Sequence, residues 1–168
     1  SITQSNIGGV LAYLDGPVKT ADGNSVSDLK NFGDVISTAN NELAAVGGLI
    51  GYLKSGDATN HILENSVVNC DITGGFASAG SANPTASCGL IVGRVALKSG
   101  ADNVTGVIGT EEVPVKVAGS IKLVGGAAVT ATADNFKDLT HGAALVTKYE
   151  SSSAKLGINA KFEAVGKE

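Results

Sequence analysis

A glycine-flanked apolar run recurs along this chain, and the recurrence limits its possible folds more than any other feature. AVGGLIGYLK at 45–54 has a near-copy in NIGGVLAYLD at 6–15 and a rougher third version in SCGLIVGRVALK at 87–98. Gly8, Gly47 and Cys88 begin the matching runs, at offsets of 39 and 41 residues. A second element sits between the copies: SDLKNFGDVIS at 27–37, then ILENSVVNCDITG at 62–74. Asn31, Asp34, Val35 and Ile36 answer to Asn69, Asp71, Ile72 and Thr73, with a one-residue difference that reads as a bulge or turn variant. NVTGVIGTEEVPVKVAG at 103–119 takes the same place after the third run, without the Asn–Asp pattern.

A unit of about 40 residues with two strand-bearing halves gives segments of about 20 residues, close to one turn of a parallel β-helix. Each turn buries its inward side chains only against its neighbours, so about three or more repeats are needed for a continuous core. The expected fold is all-β: a parallel β-helix, or solenoid, of about 20-residue rungs over residues 1–125, with a C-terminal cap at 126–168. Gly47 and Gly48 are expected to supply a corner with positive φ, and Gly51 a bulge or close backbone approach. In 126–168 the pattern changes to a short helix with Asp134 as N-cap and Gly142 near its end. Strands at 143–149 and 154–165 follow, around a hairpin turn at ESSSAK. This segment closes the last open rung, or else pairs with a neighbouring domain.

Composition agrees with a β-rich, turn-dense chain. Hydrophobic residues make up 43% of the 168, yet aromatics are only 4%, glycines number 23, and Met and Trp are absent. Val, Ile, Leu and Ala must therefore form the core. Charged residues are 17% with a net of −4, so nothing suggests a nucleic-acid surface, and the single arginine, Arg94, argues against phosphate clamps. No apolar run approaches the roughly 20 residues that span a bilayer. With Ser1 first and no methionine, the sequence reads as one that has lost a leader or as an excised segment. The polar, glycine-rich stretches 15–25, 54–61 and 74–87 read as projecting variable loops.

VGGLIGY at 46–52, followed by ILENSVVNCDITG at 62–74, resembles the GLUG repeat of bacterial surface proteins. NFGDV at 31–35 and NIGGVLAY at 6–13 are similar to the form common in secreted or lipid-anchored proteins of the Bacteroidales. The third copy departs from it, with Cys88 in place of a glycine and Val92 inserted before Gly93. The resemblance covers residues 6–98 and implies an extracellular, cell-surface location with an adhesin-like or structural role. It carries no common catalytic residues.

Candidate chemistry is sparse. Asp34 and Asp71 hold equivalent repeat positions and are expected to stack, where carboxylates could bind calcium or serve as acid and base. A repeat-encoded Asp more often caps a turn through backbone N–H groups. Asp22, Asn24 and Asp28 resemble a calcium loop weakly, without its 12-residue spacing or terminal Glu. His61 and His141 adjoin no nucleophile motif, and Asn103-Val104-Thr105 is a sequon of little weight in a bacterial protein. Cys70 and Cys88 are the candidate disulfide. Their 18-residue separation is near one rung, which would set them one above the other; the alternative is two buried free thiols. No metal site or cofactor is expected, since the two thiols and distant histidines match no zinc spacing.

The leading expectation is a noncatalytic extracellular repeat domain, adhesin-like, that binds a glycan or a host or bacterial surface protein. A self-assembling subunit of a surface filament, stalk or layer is the second. A small polysaccharide-active β-helix enzyme built on Asp34 and Asp71 is the third, and sugar-stacking aromatics are too few in the composition to favour it.

Overall fold

The computed structural model describes residues 5–15, 26–38, 44–55, 61–74, 87–97, 106–123, 125–142 and 156–167. The protein is all-β, and the chain passes over itself in parallel. The first pass contains β1 (Ser5–Gly8), β2 (Leu11–Asp15), β3 (Lys30–Asn31) and β4 (Val35–Ile36). The second contains β5 (Ala44–Gly47), β6 (Ile50–Ser55), β7 (His61–Ile62) and β8 (Val67–Thr73). The third contains β9 (Ser87–Gly89), β10 (Val92–Leu97), β11 (Gly106–Ile108) and β12 (Val115–Lys122). The last segment adds β13 (Ala128–Thr130), a 3-10 turn at Phe136–Leu139, β14 (Leu156–Ile158) and β15 (Ala160–Phe162).

These strands form four sheets. β1, β5 and β9 make one and β2, β6 and β10 a second, both wholly parallel. The third has the order β14-β11-β7. In the fourth, β8 pairs with β3 and β4 on one side and β12 on the other, and β12 carries β13 and β15. Among the described residues only the β12–β13 pair is antiparallel; the chain reverses there through Gly125, at φ 77°.

The registers correct the expected spacing. Leu11 faces Ile50, Val35 faces Ile72 and Gly106 faces Leu156. Stacked partners thus lie a whole repeat unit or more apart, and the two halves of a unit fall into different sheets rather than onto one another. The third copy also aligns differently. Gly47 faces Gly89 and Ile50 faces Val92, so the spacing within the run is the same in both copies. Nothing is inserted at Val92, and Cys88 stands opposite Val46. Asn31 faces Val68, not Asn69, because the register is unchanged on both sides of Gly33 and no bulge intervenes.

One backbone device repeats at every pass. The Leu49 carbonyl accepts from Val10 N (3.1 Å) and Leu11 N (2.9 Å), and the Ile91 carbonyl from Leu49 N (3.1 Å) and Ile50 N (2.9 Å). Thr140, just beyond the 3-10 turn, accepts from Ile91 N (2.9 Å) and Val92 N (3.2 Å), so the last segment adds a fourth level to the same column. Gly8, Gly47 and Gly89 begin these breaks. A Cβ on each would collide with the carbonyl oxygen of Leu11, Ile50 or Val92 respectively. None of the three lies at positive φ, so close approach rather than left-handed backbone requires glycine here. The expectation for Gly51 was sounder: its Cβ would press on the carbonyl oxygens of Ala12 and Ile7.

Val46, Leu49, Ile50, Leu53, Leu63, Ile72, Leu90, Ile91, Ile108 and Val115 are fully buried, and all belong to the second and third passes. Of their first-pass counterparts, Ile7, Leu11, Leu14 and Val26 pack on this core only partly buried, while Val35, opposite Ile72, is itself buried. At the other end, Phe136 and Leu139 close the core from the 3-10 turn. That turn replaces the expected helix. Asn135, not Asp134, precedes it, and spends its side chain on Thr132 N (2.7 Å) and the Thr130 carbonyl (3.0 Å). With apolar residues only at Phe136 and Leu139, one turn buries all the segment has to bury. The expected strand at 143–149 and the ESSSAK turn lie outside the described residues, whereas 154–165 contains β14 and β15, which pair with β11 and β12. Among the described residues no helix is long and apolar enough to cross a membrane.

Candidate functional site

In-register stacking turns a residue repeated in sequence into a column of side chains, and two columns carry chemistry. The first is the expected carboxylate pair. Asp34 and Asp71 are neighbours, with Asp71 N donating to Asp34 Oδ1 (3.3 Å). Ser120 takes the third-pass position and donates from Oγ to Asp71 Oδ1 (2.8 Å). Lys167, near the chain end, lies across both carboxylates, its Nζ 2.8 Å from Asp71 Oδ2 and 3.2 Å from Asp34 Oδ1. Hydrogen bonds from the Lys167 ammonium and then from Ser120 hold the Asp71 carboxyl below its ordinary range, while Asp71 holds Lys167 above its own. A general acid needs the opposite shift. The pair works as a clamp, joining the chain end to the first two passes, and among the described residues no cluster of three or more metal-ligating side chains forms.

The other sequence candidates are placed apart. Of the candidate calcium loop only Asp28 lies among the described residues. It accepts from Asn65 Nδ2 (2.6 Å) and from Ser27 Oγ (2.9 Å), and the Asn65 bond lowers its pKa most. Asp28 (φ 57°) and Asn65 (φ 52°) are left-handed residues at the same corner of successive passes, where short polar side chains are best tolerated. Asp22, Asn24 and the Asn103–Thr105 sequon lie outside the described residues. His61 opens β7 opposite Val107, and His141 bridges to Val92, in different sheets from each other. Cys70 and Cys88 are buried free thiols in different sheets, opposite Gly119 and Val46. Burial pushes both up to about 12. Their spacing in sequence does not stack them, because the vertical repeat is longer.

The second column was only half visible in the sequence. Tyr13 faces Tyr52, and Tyr52 faces Arg94. The two rings stack at 5.2 Å between centroids and 20° between planes, and the Arg94 guanidinium carbon sits 5.3 Å from the Tyr52 centroid. Tyr13 is 46% exposed, and Tyr52 and Arg94 are half-buried. A guanidinium over a ring contributes about 0.5–1 kcal/mol at such a site. Against this, Arg94 Nε is shut off from solvent without an acceptor, a cost of roughly 1–3 kcal/mol when left unmet. Among the described residues Arg94 makes neither a hydrogen bond nor an ion pair. Tyr13 and Tyr52 share one repeat position, the sequence signal from which the stack could have been found. Arg94 as its third member needed the true third-pass register, which the apparent insertion at Val92 concealed.

An all-β protein of several largely parallel sheets, bearing an aromatic–guanidinium column and a lysine-clamped carboxylate column, is what these residues define. No protein-family model, no curated protein and no solved structure matches the chain.

Proposed function

We propose that the chain is a noncatalytic extracellular repeat domain, a β-solenoid with one turn per whole repeat unit, that binds a glycan on the Tyr13–Tyr52–Arg94 column. That column is the observation that carries the reading. Both faces of Tyr52 are taken up within the column, so the aromatic surface against which the C–H face of a pyranose would lie belongs to Tyr13, 46% exposed. From Tyr13 to Arg94 spans two strand spacings, on the order of 10 Å, long enough for a disaccharide. The solenoid reading is supported by the common pass order of the four sheets and by the hydrogen-bond device repeated on Leu49, Ile91 and Thr140. The cell-surface location rests on the GLUG-like residues 46–52 and 62–74 alone. A glycan and host-protein array probed with folded protein, beside Tyr13→Ala, tests the function. Glycan binding weakened at least about tenfold by the substitution is expected. Correctly folded protein that binds no glycan would count against it.

A second reading, a self-assembling subunit of a filament or layer, is favoured by the first pass. Among the described residues its strands pair on one side only, and its apolar residues are less buried than their second-pass equivalents. Light scattering over a concentration series decides it, and a strict monomer at high concentration would exclude self-assembly.

A further inference from the structure

Among the described residues β1, β2, β3 and β4 each lie at the edge of a sheet. Val10, Tyr13, Phe32 and Ile36, four of the seven exposed large apolar side chains described, belong to this first pass. The row LKNFGDV at 29–35, which carries β3 and the start of β4, has the same chemistry read from either end. Leu29 and Val35 pack on the core, Lys30 and Asp34 are exposed and of opposite charge, and Phe32, 37% exposed, is the midpoint. Leu29 turns both backbone groups to the second pass, its N–H donating to Ser66 Oγ (3.1 Å) and its carbonyl accepting from Val67 N (2.8 Å). In a ladder the next residue turns the other way, so those of Lys30 face the open side. Lys30 is in no ion pair among the described residues, and Asp34 meets Lys167 and Asp71 N through Oδ1 alone.

We propose that this row is a self-complementary interface, on which a second copy of the chain docks head to head about a symmetry axis through Phe32. The two rows then run antiparallel. Phe32 meets its own copy, each Lys30 faces the other copy's Asp34, and each Leu29 faces the other copy's Val35. Opposite charges directly across an antiparallel pair attract, and like charges repel. End-to-end stacking meets the reverse condition. Lys30 and Lys116 both face Val67, and Lys161 faces Lys116, so this line of the fourth sheet ends in lysine at both ends. A copy added there in the same register would set its Lys30 against Lys161. The far end also differs in outline: among the described residues no strand follows β9 or β10 in the first two sheets, and Phe136 and Leu139 close the core. The proposal rests on the self-assembly reading above and replaces its open filament with a closed pair.

The test is sedimentation velocity of the full chain from micromolar to near-millimolar concentration, with thermal melts to establish that each variant is folded. The wild-type chain is expected to pass from monomer to dimer and no further. Lys30→Glu and Asp34→Lys should each weaken dimerisation at least about tenfold, because each sets like charges across the axis twice. An equimolar mixture of the two variants should dimerise again, since in a mixed pair both contacts join opposite charges. Phe32→Cys, on the axis, should crosslink to a covalent dimer when oxidised with copper phenanthroline, whereas Ile36→Cys, off the axis, should not; the native thiols are buried. A mixture that stays monomeric, or a Phe32→Cys chain that does not crosslink, overturns the proposal. Growth beyond the dimer also overturns it and leaves the filament reading standing. A strict monomer at every concentration removes both.

Discussion

At Gly47 the chain folds back so tightly that a methyl group would enter the space of the Ile50 carbonyl oxygen. Because the obstacle is backbone, relief requires the strand break itself to move, and the same break recurs above and below it. Gly47→Ala is therefore expected to destabilise the fold by about 1–3 kcal/mol. Gly33→Ala, whose Cβ would meet nothing nearer than Asn31 Oδ1 at 3.6 Å, should be close to neutral. Urea denaturation of the pair measures the difference, and equal costs would refute the close approach. The two cysteines make a second residue-scale prediction. With both thiols pushed up to about 12 from an ordinary 9.0, the folded protein keeps protons that the unfolded chain gives up. Their contribution is intact below pH 9 and is lost as pH rises from 9 toward 12, by roughly 1.4 kcal/mol per pH unit for each thiol. Native protein at pH 8 should alkylate on the order of a thousandfold more slowly than free cysteine. Unfolded, unreduced protein should take up two adducts by mass, and none would mean that Cys70 and Cys88 are bridged.

Among the elements, the C-terminal strap after β15 ties the passes together. Glu163 N donates to the Val117 carbonyl of the third pass (3.1 Å), and Asn69 Nδ2 of the second donates to the Val165 carbonyl (3.3 Å). Gly166 lies against the Phe32 ring of the first pass, and Lys167 completes the crossing on Asp34 and Asp71. The ion pairs are exposed, so Lys167→Ala should cost no more than about 1 kcal/mol at neutral pH. Asp71 is depressed below its ordinary 3.8, so its contribution is present above that value and fades as pH falls through the lower folded value. Lys167 is raised above its ordinary 10.5; its contribution is full below that value and is lost at higher pH. The stability gap between wild type and Lys167→Ala should thus be flat between about pH 4 and pH 10 and close at both ends. A gap that persists at pH 2 would show that the strap holds by packing alone. The Asp34–Asp71 column was legible in the sequence because both residues sit at one repeat position. The cation that joins them was not, since Lys167 is 133 residues from Asp34 and belongs to no repeat. Likewise the strands were legible from their glycine-broken apolar runs, while their registers were not. Loop lengths decide whether a half-unit stacks on the next half or on its counterpart in the next whole unit, and the loops follow no pattern.

At the scale of the molecule, burial is graded along the stack. Leu14 and Leu53 are register partners with the same side chain, yet Leu53 is 2% exposed and Leu14 only partly buried. Among the described residues β6 pairs with β2 on one side and β10 on the other, whereas β2 pairs with β6 alone. Leu53→Ala leaves a cavity closed on all sides and should cost about 2–5 kcal/mol. Leu14→Ala loses contacts on one side and removes surface already partly in water, so about 1–2 kcal/mol is expected. The comparison holds residue type and strand position fixed, which isolates the effect of place in the stack. It also bears on self-assembly. If a second copy covers the first pass, Leu14 becomes an inner residue, and the cost of Leu14→Ala should climb toward that of Leu53→Ala as protein concentration rises. Denaturation midpoints for both variants, measured from micromolar to near-millimolar concentration, read this directly. A Leu14→Ala cost that stays small and concentration-independent would exclude the filament reading.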